Sequence, residues 1–239
     1  MILLLFDLDG TLVDTYADDA RLYAAALAEV AGCPVPLYGW EKYSEITASA
    51  IAREALAPVL GRRTHDGEVY RVREAQTRLW ENAMAAGELN VRPVPGALEL
   101  FKEAQARPGY VAAIATGGWG PSALIKLHLA GFPLENLIIA TSDDGETRPS
   151  ILNTAEILAA AARGCFGFSG RVVIGDGIWD GRGARAVNGG FIGISADPRH
   201  AMDLRAEGAS AVLPDFADRG RFWAAVDAAV RHGAAAPGN

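Results

Sequence analysis

Ile2-Leu3-Leu4-Leu5-Phe6-Asp7-Leu8-Asp9-Gly10-Thr11-Leu12-Val13-Asp14 is the stretch that decides the fold. Its opening run, Ile2 to Phe6, is uninterrupted apolar sequence of strand length, as expected of a strand buried on both faces. Such strands belong to parallel sheets, whose ligands bind at the carboxyl ends. Two aspartates follow at once. If the extended conformation persists, alternation sets Asp7 and Asp9 on the same side. Crowded carboxylates repel, and a bound divalent cation is one reason to tolerate that. Gly10 then allows a sharp departure of the chain. An EF-hand loop would need a third acid before its glycine and a flanking helix, neither of which is present. Helix capping would account for one aspartate but poorly for both.

Outward from this segment, short apolar runs alternate with alanine-rich stretches of helical period, the pattern of parallel strands joined by crossover helices. Further strands are expected at Val111 to Ala115, Leu137 to Ala140, Val172 to Ile174, Phe191 to Ile194 and Ala211 to Leu213. Helices are expected near Ala97 to Ala106, Pro121 to Ala130, Ile151 to Arg163, Gly181 to Asn188, Ala201 to Glu207 and Arg219 to His232, with a frayed tail from Gly233 to Asn239. The class is α/β, an open doubly wound sheet. One interval breaks the rhythm. Between Thr15 and Val91 no strand is expected, whereas Ala17 to Val30, Ser44 to Leu60 and Gly67 to Ala86 read as helices bounded by glycine or proline. A helical insert follows, with Arg92 to Gly96 as the return linker.

Composition narrows the function. Half of the 239 residues are apolar and 21% are charged, as in a packed globular chain, and the net charge is -7. A general nucleic-acid binder would need a basic face. The two cysteines, Cys33 and Cys165, are too isolated for a disulfide framework or a zinc site. Met1 to Phe6 lacks a basic n-region and reaches Asp7 too soon for a signal peptide, and no apolar run approaches the roughly 20 residues of a membrane span. A cytoplasmic protein without nucleic-acid or membrane partners is expected, as a monomer or homodimer.

The ends of the later strands carry the remaining chemistry. After the second main strand, Thr116-Gly117-Gly118 precedes a helix and offers a hydroxyl and backbone N–H groups to an anion, although a plain helix start capped by Thr116 reads equally well. There is no GxGxxG and no Walker loop. After the third, Asp143-Asp144-Gly145-Glu146-Thr147-Arg148-Pro149 has Arg148 as its one cation, which either reaches a phosphate or neutralises the acids around it. After the fourth comes Gly175-Asp176-Gly177-Ile178-Trp179-Asp180, a second pair of acids.

Taken in order, Asp7 to Thr11 resembles the DxDGT signature of the haloacid dehalogenase superfamily, Thr116 its second motif, Arg148 its third, and Asp176 with Asp180 its GDxxxD fourth. The helical insert is similar to the cap that follows the first motif in many members, phosphoglycolate-phosphatase-like enzymes being the nearest group. The resemblance implies a Rossmann-like core of residues 1–14 and 92–239 with a helical cap domain of 15–91. It also implies a hydrolase cleaving a small phosphorylated metabolite with Mg²⁺. Asp7 would be the phosphorylated nucleophile and Asp9 the acid and base. The metal would be held by Asp7, Asp9 and Asp176, with Asp180 orienting its shell. Thr116, Gly117, Arg148 and the N–H groups of Leu8 and Gly10 would hold the phosphate. Two positions depart from the common pattern: Arg148 stands where Lys is usual, with no lysine after Lys126, and Gly117 stands where Asn is frequent. An acid at Asp9 favours phosphate transfer over dehalogenation, because a halide leaves without a proton. A sugar phosphomutase and a non-catalytic phosphate-binding protein are the other readings. Trp40, Tyr43, Arg62, Arg63 and His65 are candidate specificity residues in the insert, with surface or core packing as the alternative for each.

Overall fold

The structure, a computed structural model, describes residues 1–235. In chain order its elements are β1 (Ile2–Phe6), β2 (Val13–Asp14), α1 (Tyr16–Ala31), α2 (Ala48–Leu60), α3 (Asp66–Ala86), β3 (Arg92–Pro93), α4 (Ala97–Ala106), β4 (Tyr110–Ala115), α5 (Gly120–Leu129), β5 (Ile139–Ala140), α6 (Arg148–Arg163), β6 (Gly170–Gly175), α7 (Ile178–Ala186), β7 (Gly190–Ile194), α8 (Pro198–Ala206), β8 (Ala211–Leu213) and α9 (Arg219–Ala235).

β1 sits inside a six-stranded parallel sheet of order β5-β4-β1-β6-β7-β8. The chain builds out from β1 on one side and returns to the other, so the strand order reverses at β1 and opens a crevice at its carboxyl end. Both faces of β1 are covered, as its sequence requires: Leu4 and Phe6 pack with α4, α5 and α9, and Leu3 and Leu5 with α6, α7 and α8. Each fully buried Leu or Phe contributes about 1.5–3 kcal/mol. The Phe6 ring lies 5.5 Å from Phe101 and 6.2 Å from Phe222, which fixes the strand end from which Asp7 projects.

The helices α1, α2 and α3 form a separate apolar cluster around Tyr23, Leu27, Leu56 and Val72, and Trp119, from the loop before α5, is buried in it. Several boundaries differ from the sequence reading. Arg92–Pro93 is not merely a linker, because β3 pairs antiparallel with β2 and ties the entrance of the insert to its exit. α2 starts at Ala48, later than Ser44, because the Thr47 side chain caps it by accepting from the Ala50 N–H. α6 starts earlier, at Arg148, capped by Thr147. α7 starts at Ile178, because the Asp180 carboxylate accepts from the Gly177 N–H. β5 is confined to Ile139–Ala140. The helical backbone of α9 continues to Ala235, and the rest of the expected tail lies outside the described residues. Among the described residues no helix is long and apolar enough to cross a membrane.

Candidate active site

The crevice at the end of β1 holds a cavity of about 90 Å³ whose walls include Asp7, Asp9, Thr116, Gly117 and Arg148. The Asp7 N–H bonds to the Ile174 carbonyl at 2.8 Å, so the ladder with β6 runs one residue past β1. Asp7 and Asp9 both face the cavity, as alternation requires. Gly10 makes the turn at φ 78°, where a Cβ would stand 2.4 Å from an Asp176 oxygen. Its N–H is given to Val13 at 2.8 Å, so Gly10 builds the turn and has no N–H left for a phosphate. Leu8 is fully buried, and its carbonyl accepts from Leu12 at 2.8 Å and Val13 at 3.0 Å.

Arg148, at the first turn of α6, reaches back across the crevice. Its Nη2 donates to Asp7 Oδ1 at 2.5 Å and to Asp180, and its Nε donates to Asp180 at 2.9 Å. The fork of the guanidinium thus spans two carboxylates, which one ammonium does with poorer geometry. Asp180 is fully buried, with its other oxygen taken by the Gly177 N–H. It anchors Arg148 and, with Asp7 and Asp176, also belongs to the group of carboxylates that could hold a metal ion.

Burial raises the Asp7 carboxyl well above its ordinary value; Arg148 opposes this, and Asp180 and Asp176 add to it. Burial, with repulsion from Asp180, pushes Asp176 up to about 7. Carboxylate oxygens of Asp7, Asp176 and Asp180 lie within 4.8 Å of one another. An all-oxygen donor set with more negative charge than Arg148 neutralises fits a hard divalent cation. Asp9 is outside this group. Its carboxylate accepts from the Thr15 hydroxyl and from Lys126 Nζ at 2.8 and 3.0 Å.

Thr116 follows the last residue of β4, with its hydroxyl oxygen accepting from the Gly118 N–H at 3.0 Å, which leaves the hydroxyl proton free to donate. A Cβ on Gly117 would lie 2.6 Å from the Ile46 carbonyl, because the start of α2 descends onto this loop and the Ala48 N–H bonds to the Gly117 carbonyl at 2.7 Å.

Sequence reasoning missed Lys126, Tyr16, Thr15 and Trp179. Lys126 is 1% exposed and bridges Asp9 to Asp19, 2.6 Å away on α1. Burial alone would lower its pKa, but Asp19 and Asp9 outweigh that and hold it above the ordinary lysine value. A lone ammonium in the apolar run Ser122 to Leu129 was the available signal, since such a charge needs a buried partner. The Tyr16 hydroxyl donates to Asp176 at 2.5 Å. Of the candidates in the insert, Trp40 lines the cavity and Tyr43 an adjoining cleft. Arg62 is paired with Glu68 at 2.6 Å, His65 caps α3, and neither these two nor Arg63 is in the cavity wall.

A sequence profile of the haloacid dehalogenase-like hydrolases matches residues 2–188. No curated protein matches the chain in sequence. Among solved structures, a hydrolase from Pseudomonas syringae aligns with TM-score 0.69 and 24% identity over 94% of this chain and 98% of its own. CbbY from Rhodobacter sphaeroides, in complex with phosphate, aligns with TM-score 0.66 and 22% identity over 94% and 98%. A predicted phosphoglycolate phosphatase from Haemophilus somnus 129pt aligns with TM-score 0.58 and 18% identity over 92% and 97%. At these identities the likeness is one of fold.

Proposed function

The chain belongs to the haloacid dehalogenase-like hydrolases, and from that premise we propose that it is a Mg²⁺-dependent phosphatase that cleaves a small phosphate monoester through an aspartyl phosphate on Asp7. The observation that carries this reading is the grip of Arg148 on Asp7 in the wall of a cavity, with Asp176 close by. Residues 15–91 act as the cap over a core of 1–14 and 92–239.

In the first step an Asp7 oxygen attacks phosphorus and the bond to the leaving oxygen breaks, while Asp9 gives that oxygen a proton. In the second a water oxygen attacks phosphorus, its proton passes to Asp9, and the Asp7–phosphorus bond breaks to release inorganic phosphate. Thr15 and Lys126 hold the Asp9 carboxylate at the cavity wall for both transfers. Arg148 offsets the charge of Asp7 and, with the Thr116 hydroxyl and the Gly117 N–H, faces the equatorial phosphoryl oxygens. The Asp7 and Asp176 carboxylates and the Asp9 carbonyl would hold Mg²⁺, whose charge lets one anion approach another.

The test is turnover of a panel of phosphate esters with Mg²⁺, by wild type and by Asp7→Asn, together with trapping of the Asp7 adduct by a phosphate mimic. Equal rates for the two proteins refute the assignment, as does a wild type that neither turns over an ester nor forms the adduct.

A further inference from the structure

The hydroxyl groups of the insert in the cavity wall are already spent. The Tyr23 hydroxyl donates to the Ala48 carbonyl at 2.6 Å, the Thr47 hydroxyl to the Glu146 carbonyl at 2.9 Å, and the Tyr16 hydroxyl to Asp176 at 2.5 Å. Asp19 is paired with Lys126 at 2.6 Å. Most of what remains facing the cavity is apolar, namely Ile46, Ile51, Ala48 and the rings of Tyr23, Trp40 and Trp179, with the carboxylates of Asp9 and Asp19 and the two indole N–H groups as the polar exceptions. A buried polar group without a partner is costly, so a leaving group rich in hydroxyls would lose hydrogen bonds to water and recover few here.

Charge points the same way. The cations at the cavity are Arg148, in its wall, and Lys126, behind Asp9, and each is held between two carboxylates. A second phosphate or a carboxylate on the substrate would meet Asp9 and Asp19 in the wall, with no unpaired cation among the described lining residues. Size also limits the ligand. The start of α2 is bolted to the core by Ala48 N–H to the Gly117 carbonyl at 2.7 Å, Ser49 N–H to Ser142 Oγ at 3.0 Å and Trp119 Nε1–H to Ser49 Oγ at 3.0 Å. The cavity of about 90 Å³ is small beside the roughly 300–1,000 Å³ of pockets for drug-sized ligands; it opens to solvent and shares Trp40, Ile46, Arg148 and Trp179 with an adjoining cleft of about 160 Å³.

We propose that the ester's leaving group is a small, uncharged alcohol with an apolar face, such as a phenol or a short alkyl alcohol, and neither a polyol nor an acid. This rests on the phosphatase reading of the same site. The site recognises the phosphoryl group by charge, and the rest of the substrate by exclusion.

The experiment compares kcat/KM of the wild type for phenyl phosphate and butyl phosphate with glucose 6-phosphate and phosphoglycolate, all with Mg²⁺. One hydroxyl against an apolar pocket costs on the order of 10²-fold, so the first pair should exceed the second by at least about tenfold. Ile46→Lys supplies a free cation at the wall and should narrow the ratio of phenyl phosphate to phosphoglycolate at least about tenfold. If that variant does not fold, Trp40→Ala, which opens the mouth, should narrow the ratio to glucose 6-phosphate. Comparable or better turnover of the sugar phosphate or of phosphoglycolate by the wild type overturns the specificity while leaving the phosphatase reading intact. No turnover of any ester and no trapped Asp7 adduct overturns both.

Discussion

Replacing Lys126 by Met keeps the length and apolar stem of the side chain and removes only its charge. The ammonium lies 2.8 Å from Asp9, 2.6 Å from Asp19 and 5.1 Å from the Trp80 ring centroid, and its side chain is 1% exposed. The two carboxylates left behind are 20% and 30% exposed, so each keeps some contact with water. Removing one partner of a buried ion pair costs about 3–5 kcal/mol, and the residual hydration sets the lower end, about 3 kcal/mol, as the expectation. For a chain of this size that corresponds to a fall in Tm of about 6–12 °C. Adding Asp19→Asn removes one of the stranded charges and should restore part of the loss, so the double variant is more stable than the sum of the two singles. Urea and thermal unfolding of the four proteins measure this. A Lys126→Met loss under about 1 kcal/mol, or strict additivity with Asp19→Asn, refutes the ion-pair account. Catalysis gives a second readout, because an Asp9 carboxylate freed from Nζ is less well aimed at the leaving oxygen. The fall in kcat should be larger for phenyl phosphate than for p-nitrophenyl phosphate, whose leaving group departs with little need of a proton.

Arg148→Lys should lower kcat by roughly 10²–10³, the loss typical when one donor to a developing oxyanion is removed. Gly117→Asn should also lower activity and stability, because its Cβ would lie 2.6 Å from the Ile46 carbonyl and push the start of α2 away; unchanged activity and urea midpoint would refute this. Gly10→Ala should be destabilised by at least the roughly 1–3 kcal/mol of a residue forced to positive φ, and should need more Mg²⁺ for half-maximal activity because its Cβ would stand 2.4 Å from Asp176; an unchanged Mg²⁺ requirement counts against Asp176 as a ligand. Hydrogen bonds from Arg62 and the His65 N–H hold the Glu68 carboxyl down at about 2. The stabilisation from its ionised form is complete above the unfolded value of about 4.3 and lost as the pH falls through the folded one. Glu68→Gln should therefore unfold at lower urea than wild type at pH 7, with the gap closing towards pH 2; a gap independent of pH would refute this.

The fold was legible where one pattern spans a whole element. Ile2 to Phe6 is buried on both faces, and such a run has few other homes than the middle of a parallel sheet. Asp7, Asp9, Thr116, Arg148 and Asp176 could be read because each follows a strand, and all of them gather at one crevice. Other features escaped because they depend on partners remote in sequence. Val13–Asp14 pairs with Arg92–Pro93 across the entire insert, and two-residue strands carry no period of their own. Lys126 acquires meaning only when α5 brings it against Asp9 and Asp19. Trp119 reads as the start of a helix until the Tyr23 ring, 5.7 Å away, turns it into part of the insert's core.

The two departures from the family's usual motifs lie side by side, and each has its own physical setting. An asparagine side chain in place of Gly117 would have to extend past a Cβ already 2.6 Å from the Ile46 carbonyl and 3.5 Å from Arg148 Nη1. The space it would occupy is taken by the turn entering α2, whereas the guanidinium stands at ordinary van der Waals distance. A lysine in place of Arg148 could not hold Asp7 and Asp180 with the same fork. Gly117 is therefore the residue that lets the insert close to hydrogen-bond distance of this loop. The closeness that removes the room for an asparagine side chain also brings the wall around Ile46 up to the cavity that Asp7 and Arg148 line, which on the proposed phosphatase reading narrows the space for whatever the phosphate is attached to.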